Sequence, residues 1–166
     1  PEGFRQGVID GAYWLREPGP NAELVIAYSG AVAPEAIEAT GLLGESRRDI
    51  GLLAVTSADR LHAGWTNARK QRRNGGPREL SHIEKLLEPL PRNCGIVTVI
   101  DGYPATLGWL GSVHGHRVEA LGVQQFGQTG TIDDLYAHYG LDTNSIIDAA
   151  CSLTFGAPVR YRKIAI

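Results

Sequence analysis

Four runs of apolar residues divide the chain, and each one ends in glycine or polar residues. The runs are "ELVIAYSG" (23–30), "IGLLAVTS" (50–57), "CGIVTVIDG" (94–102) and "RVEALGV" (117–123). They are nearly continuous in hydrophobicity instead of alternating, which is typical of strands that are buried on both faces of a parallel sheet. The pattern therefore predicts four such strands.

Helical segments separate the predicted strands, and their starts carry capping signals. The predicted starts are Pro34 with Glu35, Ser57 with Asp59, the capping box Ser81–Glu84, Thr131 with Asp133 and Asp134, and Asp142 or Thr143. Strands that alternate with helices favour the α/β class. We predict a three-layer fold, an open, mostly parallel twisted sheet of about five strands with helices on both faces.

The first 20 residues have a different pattern from the rest. Glycines stand at positions 3, 7 and 11, and the segment breaks at Pro18-Gly19-Pro20. We predict that residues 1–20 form a strand-like arm leading in from a preceding domain, and that residues 21–166 form the domain itself. The chain begins at Pro1 and contains no methionine, so we expect a piece of a longer protein.

The segment from Val118 to Asp142 combines a strand, a glycine-spaced turn at Phe126–Gly130, and a helix that Thr131 opens. In α/β proteins such a loop lies at the carboxyl end of a strand, where ligands and partners are usually bound. On local pattern alone, a plain turn followed by a capped helix is the favoured interpretation. A loop that binds an anion is the alternative.

Polar residues follow each predicted strand, and in a doubly wound sheet they lie along one edge. As a site, such an edge would bind an anion or contact another domain. Alternatively, its residues only cap the helices that follow. The local pattern does not distinguish these roles. The residues predicted to form this active-site rim or domain contact are Ser29, Ser57, Asp101, Gln125, Phe126, Gln128 and Thr129.

Charge and cysteine content narrow the class of protein. The chain of 166 residues carries 16 basic and 18 acidic residues, a balance that gives no general attraction to nucleic acid or to membranes. The basic stretch Arg69–Arg78 has no interleaved aromatic residues, so we expect a solvated loop. Cys94 and Cys151 show no paired spacing, which indicates reduced thiols in a cytoplasmic protein.

No strong catalytic motif is present. The first strand lacks a dinucleotide fingerprint, no phosphate loop occurs, and no serine lies in a nucleophile elbow. The pair His114-Gly115-His116 is weak evidence for a metal and is better explained as a turn. The sequence thus predicts no catalytic residue, no cofactor-binding residue and no metal ligand in this chain.

Four segments of the chain form a wider pattern: "VIAYSGAVAPEAIEA", "GLLAVTSADRL", "IVTVIDG" and "GVQQFGQTGTIDDLYAHYGLDTNSIIDAA". In this order and spacing the chain resembles the carboxyl-terminal domain of the transketolase superfamily of thiamine-diphosphate enzymes. Within the superfamily it looks most like the homodimeric pyruvate dehydrogenase (acetyl-transferring) component, through "RQGVIDGAYWL", "LLAVTSADRL" and Phe126-Gly127. The block from Phe126 to Ala149 also matches transketolase and its sugar-phosphate relatives.

The resemblance implies an accessory and dimerisation domain that is inactive alone. Thiamine diphosphate and magnesium would be held by other domains of a parent enzyme, which decarboxylates a 2-oxoacid and transfers the acyl group to lipoamide. The same domain of a transketolase acting on sugar phosphates is one alternative, and a non-catalytic anion-binding regulatory module is another.

The implied partners are the other domains of the parent chain and a second copy in a homodimer. Two basic segments, Arg69–Arg78 and Arg160–Lys163, depart from the usual dehydrogenase pattern. We expect them to meet acidic surface of the parent chain or of a lipoyl acyltransferase core. The helix at Leu107–Leu110 and the helix after Thr131 are expected to offer apolar surface to the parent chain.

Overall fold

The computed structural model describes residues 2–47, 49–125 and 127–155. The strands are β1 (Ala12–Arg16), β2 (Leu24–Ser29), β3 (Gly51–Val55), β4 (Gly95–Ile100) and β5 (Val118–Leu121). The helices are α1 (Glu2–Asp10), α2 (Ala33–Gly44), α3 (Ala58–Arg73), α4 (His82–Leu87), α5 (Ala105–Gly108), α6 (Ile132–Tyr139) and α7 (Thr143–Phe155). Short 3₁₀ turns at Gly30–Val32 and Trp109–Ser112 complete the described elements.

The sheet has five strands in the order β1-β3-β2-β4-β5. The four strands predicted from the apolar runs are parallel to one another, and β1 joins β3 in the antiparallel direction. The predicted fold class is therefore confirmed. The fifth strand comes from the amino-terminal segment of the chain.

Two hydrophobic cores lie on opposite faces of the sheet. Along β2, Leu24 and Ile26 join the core beneath α2, α6 and α7, while Val25 and Ala27 join the core beneath α3, α4 and α5. Successive side chains of a strand point to opposite faces, so a run that is apolar at every position is buried on both sides. The structure thus has the three layers that the sequence predicts.

The amino-terminal segment differs from the strand-like arm predicted for it. Glu2–Asp10 is helical, and only Ala12–Arg16 is a strand. Gly11, at φ 108°, turns the chain between them, and Phe4 packs edge-on against Tyr13 with ring centroids 4.6 Å apart. The spaced glycines suggested extended chain, but the contact with Tyr13 stabilises a helix. The division of the chain at residue 20 stays a prediction.

The outer edge of β1 is partly covered. The pairing with β3 is irregular between Trp14 and Arg16, so a β-bulge interrupts the ladder there. On the other side of β1, the His82 Nε2 donates a hydrogen bond of 2.8 Å to the carbonyl of Ala12. A side chain from α4 thereby satisfies a strand group that has no strand neighbour.

The predicted solvated loop at Arg69–Arg78 is wrong in its first half, because α3 continues to Arg73. Arg72 forms an ion pair with Glu84, with Nη2 and Oε1 2.5 Å apart. Arg69 lies over the ring of Trp65, 4.7 Å from its centroid. Tertiary partners on α4 and within α3 therefore hold a basic stretch that local composition marked as solvent-exposed loop.

The apolar surface expected at Leu107–Leu110 is also absent. Leu107 and Leu110 are fully buried in the core of this domain, so they are not available to a partner. Exposed large apolar side chains lie elsewhere, at Phe4, Val8, Ile9, Leu15, Ile37, Leu42, Tyr103 and Ile132. The basic segment Arg160–Lys163 lies outside the described residues. Of the helices that the structure describes, none combines the length and hydrophobicity needed to cross a bilayer.

Candidate functional site

The carboxyl ends of the four parallel strands meet at one edge of the sheet. Ser29 is the last residue of β2, and Asp101 directly follows β4. Ser57 precedes α3 just after β3, and the loop that contains Gln125 follows β5. This is the edge at which open α/β sheets usually bind ligands or partners.

A cleft of about 330 Å³ lies at this edge, between the strand ends, the glycine loop and α6. Asp101 and Gln128 both line it, so the structure brings these two predicted residues together. The remaining walls are mostly apolar and come from Ala31, Val123, Gly127, Ile132, Leu135, Tyr136 and Tyr139. The cleft is therefore an apolar surface with one carboxylate and one amide.

Tyr136 connects α6 to the strand edge. Its hydroxyl donates a hydrogen bond of 3.4 Å to the Asp101 Oδ2, and the ring is 8% exposed. Burial raises the pKa of Tyr136, and the negative charges of Asp101 and Glu35 raise it further. The phenol thus stays protonated near neutral pH and serves as a hydrogen-bond donor.

The two predicted serines make backbone contacts. The Ser29 hydroxyl donates to the carbonyl of Val55 over 3.0 Å, which ties β2 to β3. Ser57 caps α3 by accepting a hydrogen bond of 3.3 Å from the backbone N–H of Arg60. Neither serine lines the cleft at Asp101.

The loop residues are divided between two places. Gln125 lines a neighbouring cleft of about 380 Å³ together with His138 and Tyr139. Thr129 is exposed, and Phe126 lies outside the described residues. Of the seven predicted residues, Asp101 and Gln128 are thus the pair that the structure places in one cleft.

Two residues of the cleft, Tyr136 and Tyr139, were missed by the sequence interpretation. The signal was present, because Ile132, Leu135, Tyr136 and Tyr139 follow the i, i+3, i+4, i+7 spacing of one helical face. The sequence interpretation considered the caps of this helix and predicted apolar surface on it, but it did not assign these two residues to a site. Those caps are confirmed: Thr131 accepts a hydrogen bond of 3.3 Å from the Asp134 N–H, and Gly140 ends the helix at φ 68°.

The chemistry available at the cleft is that of binding. The Tyr136 hydroxyl is hydrogen-bonded to the Asp101 carboxylate, but its raised pKa keeps it a hydrogen-bond donor instead of a nucleophile. Elsewhere, burial raises the pKa of the Cys94 thiol to about 12, which leaves no reactive thiolate at that position. Over the described ranges, no three His, Cys, Asp or Glu side chains are grouped closely enough to hold a metal ion. The arrangement fits a contact surface or a small-ligand cleft.

A family model described as "Transketolase-like TK C-terminal domain" matches residues 11–142. The match includes all five strands and the cleft residues Asp101, Gln128, Tyr136 and Tyr139. No curated protein matches the chain.

Solved structures share the fold at low sequence identity. Transketolase from Leishmania mexicana has 20% identity and a TM-score of 0.63, over 92% of this chain and 19% of that chain. A transketolase from Pichia stipitis in complex with sedoheptulose 7-phosphate has 19% identity and a TM-score of 0.60, over 92% of this chain and 20% of that chain. An inactive β4 tetramer of a split-gene transketolase has 19% identity and a TM-score of 0.61, over 87% of this chain and 43% of that chain.

Proposed function

Since the chain belongs to the family of transketolase-like C-terminal domains, we propose that it is the accessory domain of a thiamine-diphosphate-dependent enzyme. The match over residues 11–142 is the observation that carries this proposal. The chain spans 19% of the length of the Leishmania transketolase, so the catalytic domains of such an enzyme would lie in other parts of the protein.

For the reaction of the parent enzyme, we propose ketol transfer between sugar phosphates. The three solved structures compared above are transketolases, and one of them is a complex with sedoheptulose 7-phosphate. This reverses the order expected from the sequence resemblance, which ranked pyruvate dehydrogenase first.

Pyruvate dehydrogenase is kept as the second candidate because of specific residues. The segments "RQGVIDGAYWL" and "LLAVTSADRL", with Phe126-Gly127, are the ones that resemble the dehydrogenase component. In the structure the first segment spans α1 and β1, and the second spans β3 and the start of α3. Transfer of an acyl group to a lipoyl acyltransferase core is expected only if this second candidate is correct.

The described residues do not fit the cofactor itself. Thiamine diphosphate binds through magnesium in this superfamily, and the described part of the chain offers no group of three suitable ligands for a metal ion. No catalytic step is therefore assigned to this chain. Its role is to pack beside the cofactor domains and to join the homodimer.

The cleft at Asp101 is the proposed contact with the neighbouring active site. Its apolar walls, together with Ile132, which is 67% exposed, suit burial against another domain. Asp101 and Gln128 would form the polar part of this rim. Ser29, Ser57, Gln125 and Thr129 belong to the same edge and are proposed to support it. Phe126 lies outside the described residues and stays a predicted rim residue.

The accessory role is tested by calorimetric titration of the purified chain with thiamine diphosphate and magnesium. We expect no saturable heat and no turnover of sugar phosphates or pyruvate. Saturable cofactor binding by the chain alone would contradict the accessory role. A saturable response to inorganic phosphate alone would instead favour an anion-binding regulatory module.

The reaction class is tested on the complete enzyme that carries this domain. Assays with a pair of sugar phosphates should show ketol transfer, whereas acetyl transfer from pyruvate to lipoamide would establish the second candidate. In the same enzyme, Gln128→Ala should raise the KM roughly threefold or more if the residue lies at the active-site rim. Gln71→Ala, on the exposed side of α3, is the matched control and should leave the KM unchanged.

A further inference from the structure

Three clefts border the helix α6. The cleft at Asp101, of about 330 Å³, lies toward the strand ends, and the cleft at Gln125, of about 380 Å³, lies toward β5. A third cleft, of about 440 Å³, lies between α6, α2 and the start of α7, and we call it the α2–α6 cleft. Of the eight residues of α6, Tyr136 alone is buried and five are exposed. A small part of its surface therefore holds α6 to the domain.

The next helix, α7, is packed much more firmly. Ile146 and Ala150 of α7 are almost completely buried, and the helix packs extensively against α2, β4 and β5. Among the described elements, α6 makes no comparable contact with any other. Segments with few buried apolar contacts open at a lower free energy than the rest of a domain. We therefore expect α6 to open before α7 does.

Tyr136 is the main attachment of α6 to the strand edge. Its hydroxyl lies 3.4 Å from the Asp101 Oδ2, which is long for an O–H···O hydrogen bond, whose usual separation is about 2.7–2.8 Å. The hydrogen bonds between Thr131 and Asp134 stay within the first turn of the helix. The attachment therefore consists of one buried ring and one long hydrogen bond.

The charges around the α2–α6 cleft weaken the contact between these helices. Glu35 and Glu38 of α2, Asp133 of α6 and Asp142 before α7 all line it, and no lysine or arginine is among its described lining residues. The sequences of α2, α6 and α7 contain no lysine or arginine. Like charges repel one another, so these carboxylates favour a greater separation of α6 from α2.

Firmly held residues lie on both sides of α6. Val123 and Leu141 are buried, and glycines stand between them and the helix. Gly140 ends α6 at φ 68°, directly before Leu141. At Gly130, before the helix, an added Cβ would meet nothing closer than 3.5 Å. These glycines can absorb a change of backbone direction while the flanking residues stay in place.

We propose that α6 is a lid on the strand edge, and that it opens as one unit while the sheet, α2 and α7 stay folded. Opening breaks the hydrogen bond between Tyr136 and Asp101 and removes the wall that the three clefts share. If the strand edge is the rim of a neighbouring active site, the lid controls when that rim is complete. This consequence rests on the proposed function, whereas the opening itself does not.

Hydrogen exchange of the chain, followed by NMR, tests the lid. A helix of eight residues is not stable once it leaves the sheet, so its amides then lose their hydrogen bonds and exchange. We expect the amides of residues 136–139 to be at least about a hundredfold less protected than those of residues 146–150, and to share one opening constant. Equal protection of the two helices would overturn the proposal.

Tyr136→Phe removes the hydrogen bond to Asp101 and keeps the ring. We expect it to increase the opening of α6 about threefold or more, with the protection of α7 unchanged. Tyr139→Phe is the matched control, because the Tyr139 hydroxyl makes no hydrogen bond within the described residues. Equal effects of the two substitutions would show that Tyr136 does not hold the lid.

Glu38→Gln removes one of the like charges from the α2–α6 cleft. Glutamine can still accept the hydrogen bond of 2.7 Å that Glu38 receives from the Thr143 hydroxyl. We expect the opening of α6 to fall about twofold or more. Glu45→Gln is the matched control, because Glu45 is exposed at the end of α2 and does not line the cleft. A Glu38→Gln variant that opens as often as the wild type would contradict the role of charge.

The same measurement on the complete enzyme separates the lid from the proposed rim. A neighbouring domain that packs against Ile132 should hold α6 closed, so residues 136–139 should be at least about tenfold better protected there than in the chain alone. Fast exchange in both would refute the control of the rim, and slow exchange in both would refute the lid. Binding of thiamine diphosphate by the chain alone would contradict the accessory role without changing these rates.

Discussion

At the scale of single residues, Glu84 has more stabilising partners than its position in a short helix suggests. Its carboxylate accepts hydrogen bonds from Arg72, from the Ser81 N–H at 2.7 Å and from the Ser81 hydroxyl at 2.8 Å. Burial alone would raise the pKa of Glu84, but the bonds from Arg72 and Ser81 hold it below its ordinary value. This network fixes α4 to α3.

Removing the positive partner leaves a buried carboxylate without its ion pair. We expect Arg72→Gln to lower the free energy of unfolding by roughly 2 kcal/mol, the usual effect of losing hydrogen bonds to a charged group, because the Arg72 side chain is partly exposed. Arg73→Gln, its neighbour on the exposed side of α3, should change it by less than about 0.5 kcal/mol. Urea unfolding of both variants provides the measurement, and equal losses would show that the ion pair does not stabilise the domain.

A second residue-scale prediction concerns His116. Its pKa is lowered in the folded state, so the unfolded chain binds the proton first as the pH falls. The contribution of the neutral ring to the free energy of unfolding is therefore fully present above the ordinary histidine pKa, near 6.5. It is lost as the pH falls toward the lower pKa of the folded state. We expect the unfolding free energy of the wild type to drop between pH 7 and pH 5.

His116→Gln removes the titrating group and should flatten that part of the pH profile. His62→Gln is the control, because His62 is exposed and takes no part in the contact between His116 and Cys94. Denaturant unfolding at a series of pH values measures both. If His116→Gln keeps the full slope, another group causes it.

At the scale of elements, the residues that cap α6 determine where it begins and ends more than the burial of its side chains does. Tyr136 is its one buried residue among those described, while Thr131 caps its start and Gly140 ends it in the left-handed region at φ 68°. A Cβ at Gly140 would contact only Ser145 atoms, at ordinary distances of 3.7 Å and more. The requirement for glycine there is thus one of backbone conformation.

We expect Gly140→Ala to destabilise the domain by about 1 kcal/mol, because a residue with a Cβ is less stable than glycine in the left-handed backbone region. Gly64→Ala is the matched control, and we expect its effect on stability to have the opposite sign. Gly64 lies within α3, and an added Cβ there would meet nothing within 4 Å, so alanine should stabilise by about 0.5 kcal/mol or more. Thermal unfolding of the pair checks the assignment, and a loss of equal size at Gly64 would refute it.

The elements also show how much the sequence alone can predict. Three of the parallel strands, β2, β3 and β4, were predictable because burial on both faces leaves a continuous apolar run, whereas β5 is a partly exposed edge strand. The caps were predictable because they are local. The Arg72–Glu84 pair joins residues 12 positions apart, and Tyr136 reaches Asp101 over 35 positions. Contacts of this kind depend on the packing of whole elements, so local pattern predicted the edge of the sheet but not the cleft.

At the scale of the whole molecule, apolar surface remains outside the two cores. Phe4 and Val8 are 49% and 37% exposed and stand one helical turn apart on α1. Ile132 is 67% exposed at the cleft of α6. Exposed apolar groups of this size favour association with a partner or a second copy.

We expect the chain to self-associate in a concentration-dependent way that light scattering detects. The double variant Val8→Gln/Ile9→Gln should shift the mass toward the monomer, since glutamine keeps the helix, leaves the contact between Phe4 and Tyr13 in place and removes exposed apolar groups. Ile132→Gln tests whether the face of α6 is used instead. A monomer at all concentrations would show that α1 is insufficient for association.

The two edges of the sheet differ in their resistance to amyloid-type growth. On β1, the bulge near Leu15 and the hydrogen bond from His82 to Ala12 interrupt the ladder that an incoming strand would need. On β5, no described strand pairs with the outer edge, but the strand is only four residues long. His82→Ala should therefore make the β1 edge a better template, so seeded fibril formation by the chain would begin on the side that α4 now protects.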